Sequence, residues 1–167
     1  MLENLKKYKI VLASNSPRRR NLLSGLDIDF EVRVIPDIDE SYPDSIDSME
    51  IPLYIARSKA EAYKSTMADD ELLITADTIV WTFDGVMGKP ANREEAYAML
   101  HALSDHVHQV ITGVCIMTKD KNVGFSSNLR FVSQNWVMKR LIIIWININL
   151  MIKREGMAFR SGSVISG

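Results

Sequence analysis

Short apolar runs and amphipathic segments follow one another along most of this 167-residue chain. Apolar positions spaced three and four residues apart predict a helix over Leu53–Met67 and another that opens at Asn92, where Glu95 completes a capping box. Continuous or alternating apolar positions are typical of strands, and they occur at 8–12, 30–34, 72–76, 79–83 and 106–117. Because strands and helices alternate, the sequence predicts an α/β fold with a mixed, twisted sheet and flanking helices.

A basic, hydroxyl-rich segment lies at the corner between the first predicted strand and a short amphipathic helix. Ser16 is a natural helix N-cap, and Pro17 suits the first helical position because its missing N–H costs nothing there. Gly25 suits the C-cap. The arginines at 18–20 would then share the positive end of the helix with unpaired backbone donors, which is a geometry for binding a phosphate chain. A solvated basic first turn is the alternative interpretation.

Four more charged residues are candidates for the same site. Asp77 follows five apolar residues, and a carboxylate at the edge of a core needs a partner, a metal or a catalytic role. Lys59 lies beside the apolar face of the second predicted helix, Lys89 stands on a stiff loop between Gly and Pro, and Glu40 ends an acidic loop. Taken singly, each has an ordinary structural explanation: a hydrogen-bonded strand end, a snorkelling lysine, a turn lysine and a polar connection.

Together these side chains form the inventory that cleavage of a phosphoanhydride requires, because that reaction depends mainly on positioning and on charge stabilisation. The cations that could neutralise a triphosphate are Arg18, Arg19, Lys59 and Lys89. Glu40 and Asp77 could hold a hard divalent cation through oxygen ligands, and one of them could orient a water. The chain has no Gly-x-x-x-x-Gly-Lys-Ser/Thr loop, which argues against an ordinary P-loop NTPase.

Composition and charge exclude several other classes of protein. Hydrophobic residues make up 47% and charged residues 25%, the mixture of a globular domain. A net charge of −1 excludes wholesale electrostatic binding of nucleic acid or membrane, so any anion site must be local. The single cysteine, Cys115, excludes a disulfide framework and a cysteine-based zinc site. No apolar signal segment stands at the N-terminus, so we expect a cytoplasmic protein.

Six motifs in order resemble the Maf (septum-formation) family of nucleoside triphosphate pyrophosphatases. They are Ser14–Arg19, Asp39–Glu40, Ala56–Ala60, Ala76–Val80, Gly88–Pro90 and His108–Val114. The resemblance covers roughly the first two-thirds of the chain. It implies a Maf/ITPase-like fold and an enzyme that hydrolyses a nucleoside triphosphate to its monophosphate and pyrophosphate with Mg or Mn.

The resemblance also assigns roles to residues. It makes Asp77 the proton acceptor, and it places nucleotide-selective contacts on Arg18 and Thr78. A threonine after the aspartate, rather than glutamine, resembles the branch that acts on dTTP and UTP. The implied substrate-binding set is Ser14, Arg18, Arg19, Lys59, Thr78 and Lys89. The implied partner is the nucleotide, and a homodimer is possible. The alternatives are a non-enzymatic nucleotide-binding or division regulator and an inactive pseudogene product.

After about Ser127 the resemblance stops. The Ile- and Asn-rich run at 141–149 is typical of AT-rich DNA read out of register. When 137–166 is back-translated and each codon is started at the third base of the one before, allowed codons give a sequence containing Lys-Ala-Gly-Gly-Tyr-Gly-Val-Gln, which resembles the family's ending. We therefore predict a Maf-like domain over 1–127, an out-of-frame tail over 128–167 and little or no turnover.

Overall fold

The computed structural model of the protein describes residues 3–88, 90–104 and 106–132. Its strands are β1 (Lys9–Leu12), β2 (Phe30–Val32), β3 (Glu71–Thr82), β4 (Gly85–Met87), β5 (Val107–Met117) and β6 (Asn122–Val132). Its α-helices are α1 (Pro17–Ser24), α2 (Ile51–Tyr63) and α3 (Arg93–Leu103). Lys89 and the predicted tail beyond residue 132 lie outside the described residues.

The strands form one six-stranded mixed sheet in the order β2-β1-β3-β5-β6, with β4 paired to β3. β1 runs parallel to β2 and β3, and β3 runs antiparallel to β4 and β5. The predicted α/β class with a mixed sheet and flanking helices is therefore confirmed. No helix among the described residues is long and apolar enough to cross a membrane.

The chain divides into two compact units, one of residues 1–87 with 109–130 and the other of 88–108 with 131–167. The first contains every candidate site residue that the structure describes. In the second, α3 begins as predicted, because the side chain of its N-cap Asn92 accepts a hydrogen bond from the backbone N–H of Glu95 at 2.8 Å. Glu95 Oε2 in turn accepts from the backbone N–H of Ala91 at 2.7 Å.

The helix α2 packs on one face of the sheet and creates the core of the first unit. Odd-numbered residues of β3 and β5 point towards it, as the registered pairs Leu73 with Met117 and Ile79 with Ile111 show. Gly113 lies where the helix comes closest, and a Cβ there would stand 2.2 Å from the backbone nitrogen of Leu53. A glycine at this position therefore permits the close approach of α2 that brings Lys59 over β3.

Three details differ from the sequence prediction. First, β3 is one continuous strand across Asp77 rather than two runs. Second, α2 begins at Ile51, because Pro52 fits the first turn instead of preceding it. Third, the prediction that α1 is amphipathic is wrong, because none of its residues is buried and Leu22 is 75% exposed. Ser16 and Gly25 flank the helix at the predicted cap positions, but the side chain of Ser16 makes no capping hydrogen bond.

Candidate active site

A lysine held between two carboxylates forms the first half of the site. Asp77 is an odd-numbered residue of β3, so its side chain points towards α2, where Lys59 lies on the facing surface. The Nζ of Lys59 donates to Asp77 Oδ1 at 2.8 Å and contacts Glu40 Oε1 at 2.9 Å. The side chains of Lys59 and Asp77 are each 14% exposed, whereas that of Glu40 is 46% exposed. The predicted acidic loop and β3 thus meet at one ammonium group.

Arg19 forms the second half of the site. Its Nη1 donates to the backbone carbonyl of Ala76 at 2.8 Å and to Ser14 Oγ at 3.3 Å. Ser14 is buried and also accepts from the backbone N–H of Ser16 at 3.2 Å. Burial lowers the pKa of Arg19 while the charge of Asp77 acts in the opposite direction, and arginine remains a cation at neutral pH. A partly buried guanidinium is therefore fixed next to the Asp77 segment.

The same guanidinium reaches the opposite face of the sheet. Arg19 Nη2 donates to Thr78 Oγ1 at 3.4 Å, and Thr78 Oγ1 lies 3.0 Å from Thr112 Oγ1. Thr78 and Thr112 are direct partners in the β3–β5 register. Sequence reasoning assigned no role to Thr112, because its position opposite Thr78 follows from strand register, which the spacing of residues does not reveal.

The remaining arginines of the corner behave differently. The side chain of Arg18 is exposed on α1. Arg20 Nη2 donates to Asn15 Oδ1 at 3.2 Å, away from the carboxylates. The structure therefore brings Ser14, Arg19, Lys59, Thr78, Glu40 and Asp77 to one region of the first unit. It leaves Arg18 on the surface of α1, and it is Arg19 that contacts Thr78.

The two carboxylates that contact Lys59 are compatible with a divalent cation. No group of three acidic, histidine or cysteine side chains that could hold a metal occurs among residues 3–88, 90–104 and 106–132. Mg²⁺, however, commonly takes only one or two protein carboxylates and completes its shell with water and substrate phosphates. Glu40 and Asp77 converge on a single positive group, so these two residues fit that mode of binding.

These features make the region around Lys59 and Arg19 a candidate site for an anionic ligand on a mixed α/β sheet. A family model described as Maf-like protein matches residues 9–141. The chain belongs to the Maf-like family, as its six motifs predict.

Two bacterial relatives are each named dTTP/UTP pyrophosphatase. The protein of Parabacteroides distasonis is 98% identical over 126 residues, which are 75% of this chain and 65% of the relative. That of Phocaeicola vulgatus is 61% identical over 127 residues, 76% of this chain and 66% of the relative. The match thus spans slightly less than two-thirds of each relative's length. Among solved structures, a HAM1 protein from Coxiella burnetii matches with a TM-score of 0.44 and 19% identity over 75% of this chain and 72% of that one.

Proposed function

We propose that this chain carries the phosphate-binding and catalytic part of a nucleoside triphosphate pyrophosphatase that acts on dTTP and UTP. The observation that carries the proposal is the ammonium of Lys59 held between Glu40 and Asp77, next to the partly buried guanidinium of Arg19. Two cations and two carboxylates at this spacing suit a polyanion that arrives together with a divalent cation. The names of the relatives support the choice of dTTP and UTP.

The residues divide the chemical work between them in this proposal. Lys59 and Arg19 bind the phosphate oxygens and stabilise the charge that develops on them. Asp77 orients a water and accepts its proton as the α–β phosphoanhydride bond breaks, and pyrophosphate leaves with the bridging oxygen. When bound to Glu40 and Asp77, Mg²⁺ or Mn²⁺ supplies neutralisation of the triphosphate charge. Arg18, which is exposed, and Lys89 complete the proposed substrate contacts, with Ser14 holding Arg19 in place.

The proposal extends to the setting of the enzyme. A small charged substrate and a net charge of −1 suit an enzyme of the cytoplasmic nucleotide pool that has no nucleic-acid or membrane partner. A homodimer is compatible with this proposal.

We further propose that residues 128–167 are an out-of-frame tail and that turnover is impaired for this reason. The 126-residue extent of the 98% identical match supports this division, although the family model extends to residue 141. Sequencing the DNA across codons 124–130 tests it directly. A single-base shift is expected there, and an uninterrupted frame in independent reads would contradict the tail assignment.

The test of the proposed function uses the full 167-residue chain and equilibrium binding of dTTP and UTP in the presence of Mg²⁺. We expect saturable binding to the unchanged chain, and we expect Lys59→Met to weaken it by about 100-fold, because a buried cation that contacts phosphate is lost. Lys121→Met is the matched control, since Lys121 is exposed in the turn between β5 and β6. Absence of nucleotide binding, or equal loss in both variants, would overturn the proposal.

A further inference from the structure

Two threonine hydroxyls lie side by side where Arg19 reaches the sheet. Thr78 on β3 and Thr112 on β5 occupy opposite positions of the antiparallel pair, with their Oγ1 atoms 3.0 Å apart. Both are even-numbered positions, so they point to the face of the sheet away from α2. Thr78 is exposed, and Arg19 Nη2 lies 3.4 Å from its hydroxyl oxygen. The three groups thus form one hydrogen-bonded series that ends on an accessible surface.

The hydrogen-bonding capacity of these groups restricts which of them can donate and which can accept. A guanidinium has only donors, while a threonine hydroxyl has one donor and two acceptor lone pairs. Arg19 therefore occupies one lone pair of Thr78. If Thr112 donates to the second, Thr78 has no acceptor capacity left and its own O–H becomes a donor towards a ligand. Without Thr112, that second lone pair is free and Thr78 can also accept.

This polarity matches a difference between pyrimidine bases. Thymine and uracil carry a carbonyl oxygen, an acceptor, at the ring position where cytosine carries an amino group, a donor. A hydroxyl that can only donate binds the carbonyl and leaves the amino group without a partner. We propose that Thr112 is a positioning residue for base selection, donating to Thr78 so that Thr78 acts as a donor to the carbonyl of thymine or uracil. This inference rests on the proposed function and concerns the same site.

The test compares binding of dTTP and dCTP by the full chain with Mg²⁺, using Thr112→Val and Thr112→Ser. Valine keeps the β-branched shape and removes the hydroxyl, whereas serine keeps the hydroxyl. We expect Thr112→Val to reduce the dTTP-to-dCTP affinity ratio by about tenfold, the size of one hydrogen bond in a partly exposed site, and Thr112→Ser to retain the ratio. Affinity for inorganic tripolyphosphate, which has no base, should be equal in all three proteins.

A second variant guards against a purely structural effect. Thr78→Val should lower the ratio to the same extent, and combining it with Thr112→Val should lower it no further, because both remove the same polarised pair. A wild-type ratio in folded Thr112→Val would overturn the inference while leaving dTTP binding intact. Equal affinity of the unchanged chain for dTTP and dCTP would instead overturn the proposed substrate choice, and the inference with it. If Thr112→Val does not fold, wild-type selectivity in Thr78→Val overturns the inference equally.

Discussion

Two carboxylates on the same strand, six positions apart, have opposite surroundings. Glu71 and Asp77 both lie on β3 and both point towards the α2 side of the sheet. Glu71 accepts from Arg33 Nη2 at 2.6 Å and Nη1 at 3.1 Å, and from the backbone N–H of Ala68 at 3.1 Å. Asp77 accepts one hydrogen bond from Lys59, whose ammonium also contacts Glu40. Within the described residues, the carboxylate of Asp77 has no hydrogen-bond partner besides Lys59.

The two carboxylates differ in the type of cation that binds them. The planar guanidinium of Arg33 donates a hydrogen bond to each carboxylate oxygen of Glu71, and this pairing lowers the pKa of the Glu71 carboxyl. The ammonium of Lys59 is a point charge that three or more oxygen atoms can share. A phosphate can therefore contact it in place of a carboxylate, and a metal can contact the carboxylates in place of the ammonium. We infer that Glu71 stabilises the fold and that Asp77 keeps acceptor capacity available for a substrate.

The largest expected effect is the loss of chemistry in Asp77→Asn. Removing the proton acceptor should lower pyrophosphate release by at least about 100-fold, while the melting temperature hardly changes and dTTP still binds. Because turnover of this chain is predicted to be low, labelled dTTP is incubated for hours with an excess of protein. If the unchanged chain releases a measurable amount of pyrophosphate, equal release by Asp77→Asn would show that Asp77 does not act as a base. Loss of folding would place Asp77 with Glu71 as a structural carboxylate.

Glu71→Gln should show the reverse behaviour. Replacing the carboxylate removes the charge-assisted hydrogen bonds from both Nη atoms of Arg33 and leaves the guanidinium, among the described residues, only its contact with Glu31 at 3.2 Å, so the free energy of unfolding should fall by about 2 kcal/mol. Urea unfolding measures this change. Glu61→Gln is the matched control, because Glu61 is half exposed in its ion pair with Lys64 and should cost less than about 0.5 kcal/mol. Equal costs for the two variants would contradict the structural role of Glu71.

The sequence could distinguish Asp77 from its neighbours but could not recognise Glu71. A carboxylate after five apolar residues indicates a polar group at the edge of a core. Glu71, in contrast, follows Asp69 and Asp70 and resembles the end of a polar loop. Its partner Arg33 is 38 positions away in sequence, so only the parallel pairing of β1 with β2 and β3 brings the two together.

The periodicity of apolar positions predicted most elements of the fold correctly, and its failures have physical reasons. β3 continues through Asp77 because Lys59 neutralises the carboxylate, so the strand need not end there. The edge strand β6 was not predicted, since most of its residues are exposed and its apolar positions do not mark one buried face. The corner motif predicted where α1 begins and its basic first turn, but not that Arg19 would reach Thr78.

Arg33→Lys sharpens the comparison by giving Glu71 the kind of cation that Asp77 has. A lysine at position 33 keeps the charge but cannot make two parallel hydrogen bonds, so we expect about 1 kcal/mol of lost stability, less than in Glu71→Gln. Unfolding in urea again provides the measurement, with dTTP binding as the control that should stay unchanged. Full wild-type stability would mean that the fork geometry contributes nothing and that charge alone accounts for the pair.

The smallest expected effect is a pH dependence that belongs to Glu71. Its pKa is lowered in the folded chain, chiefly by hydrogen bonds from Arg33 and against the effect of burial. The unfolded state therefore binds more protons in acid, so the stabilisation is complete above the ordinary glutamate pKa of about 4.3 and is lost as pH falls through the lowered folded value. Melting temperatures of the unchanged chain should decline more steeply below about pH 5 than those of Glu71→Gln. Parallel curves would show that the ion pair does not contribute to acid sensitivity, and the contrast between the two carboxylates would then rest on geometry alone.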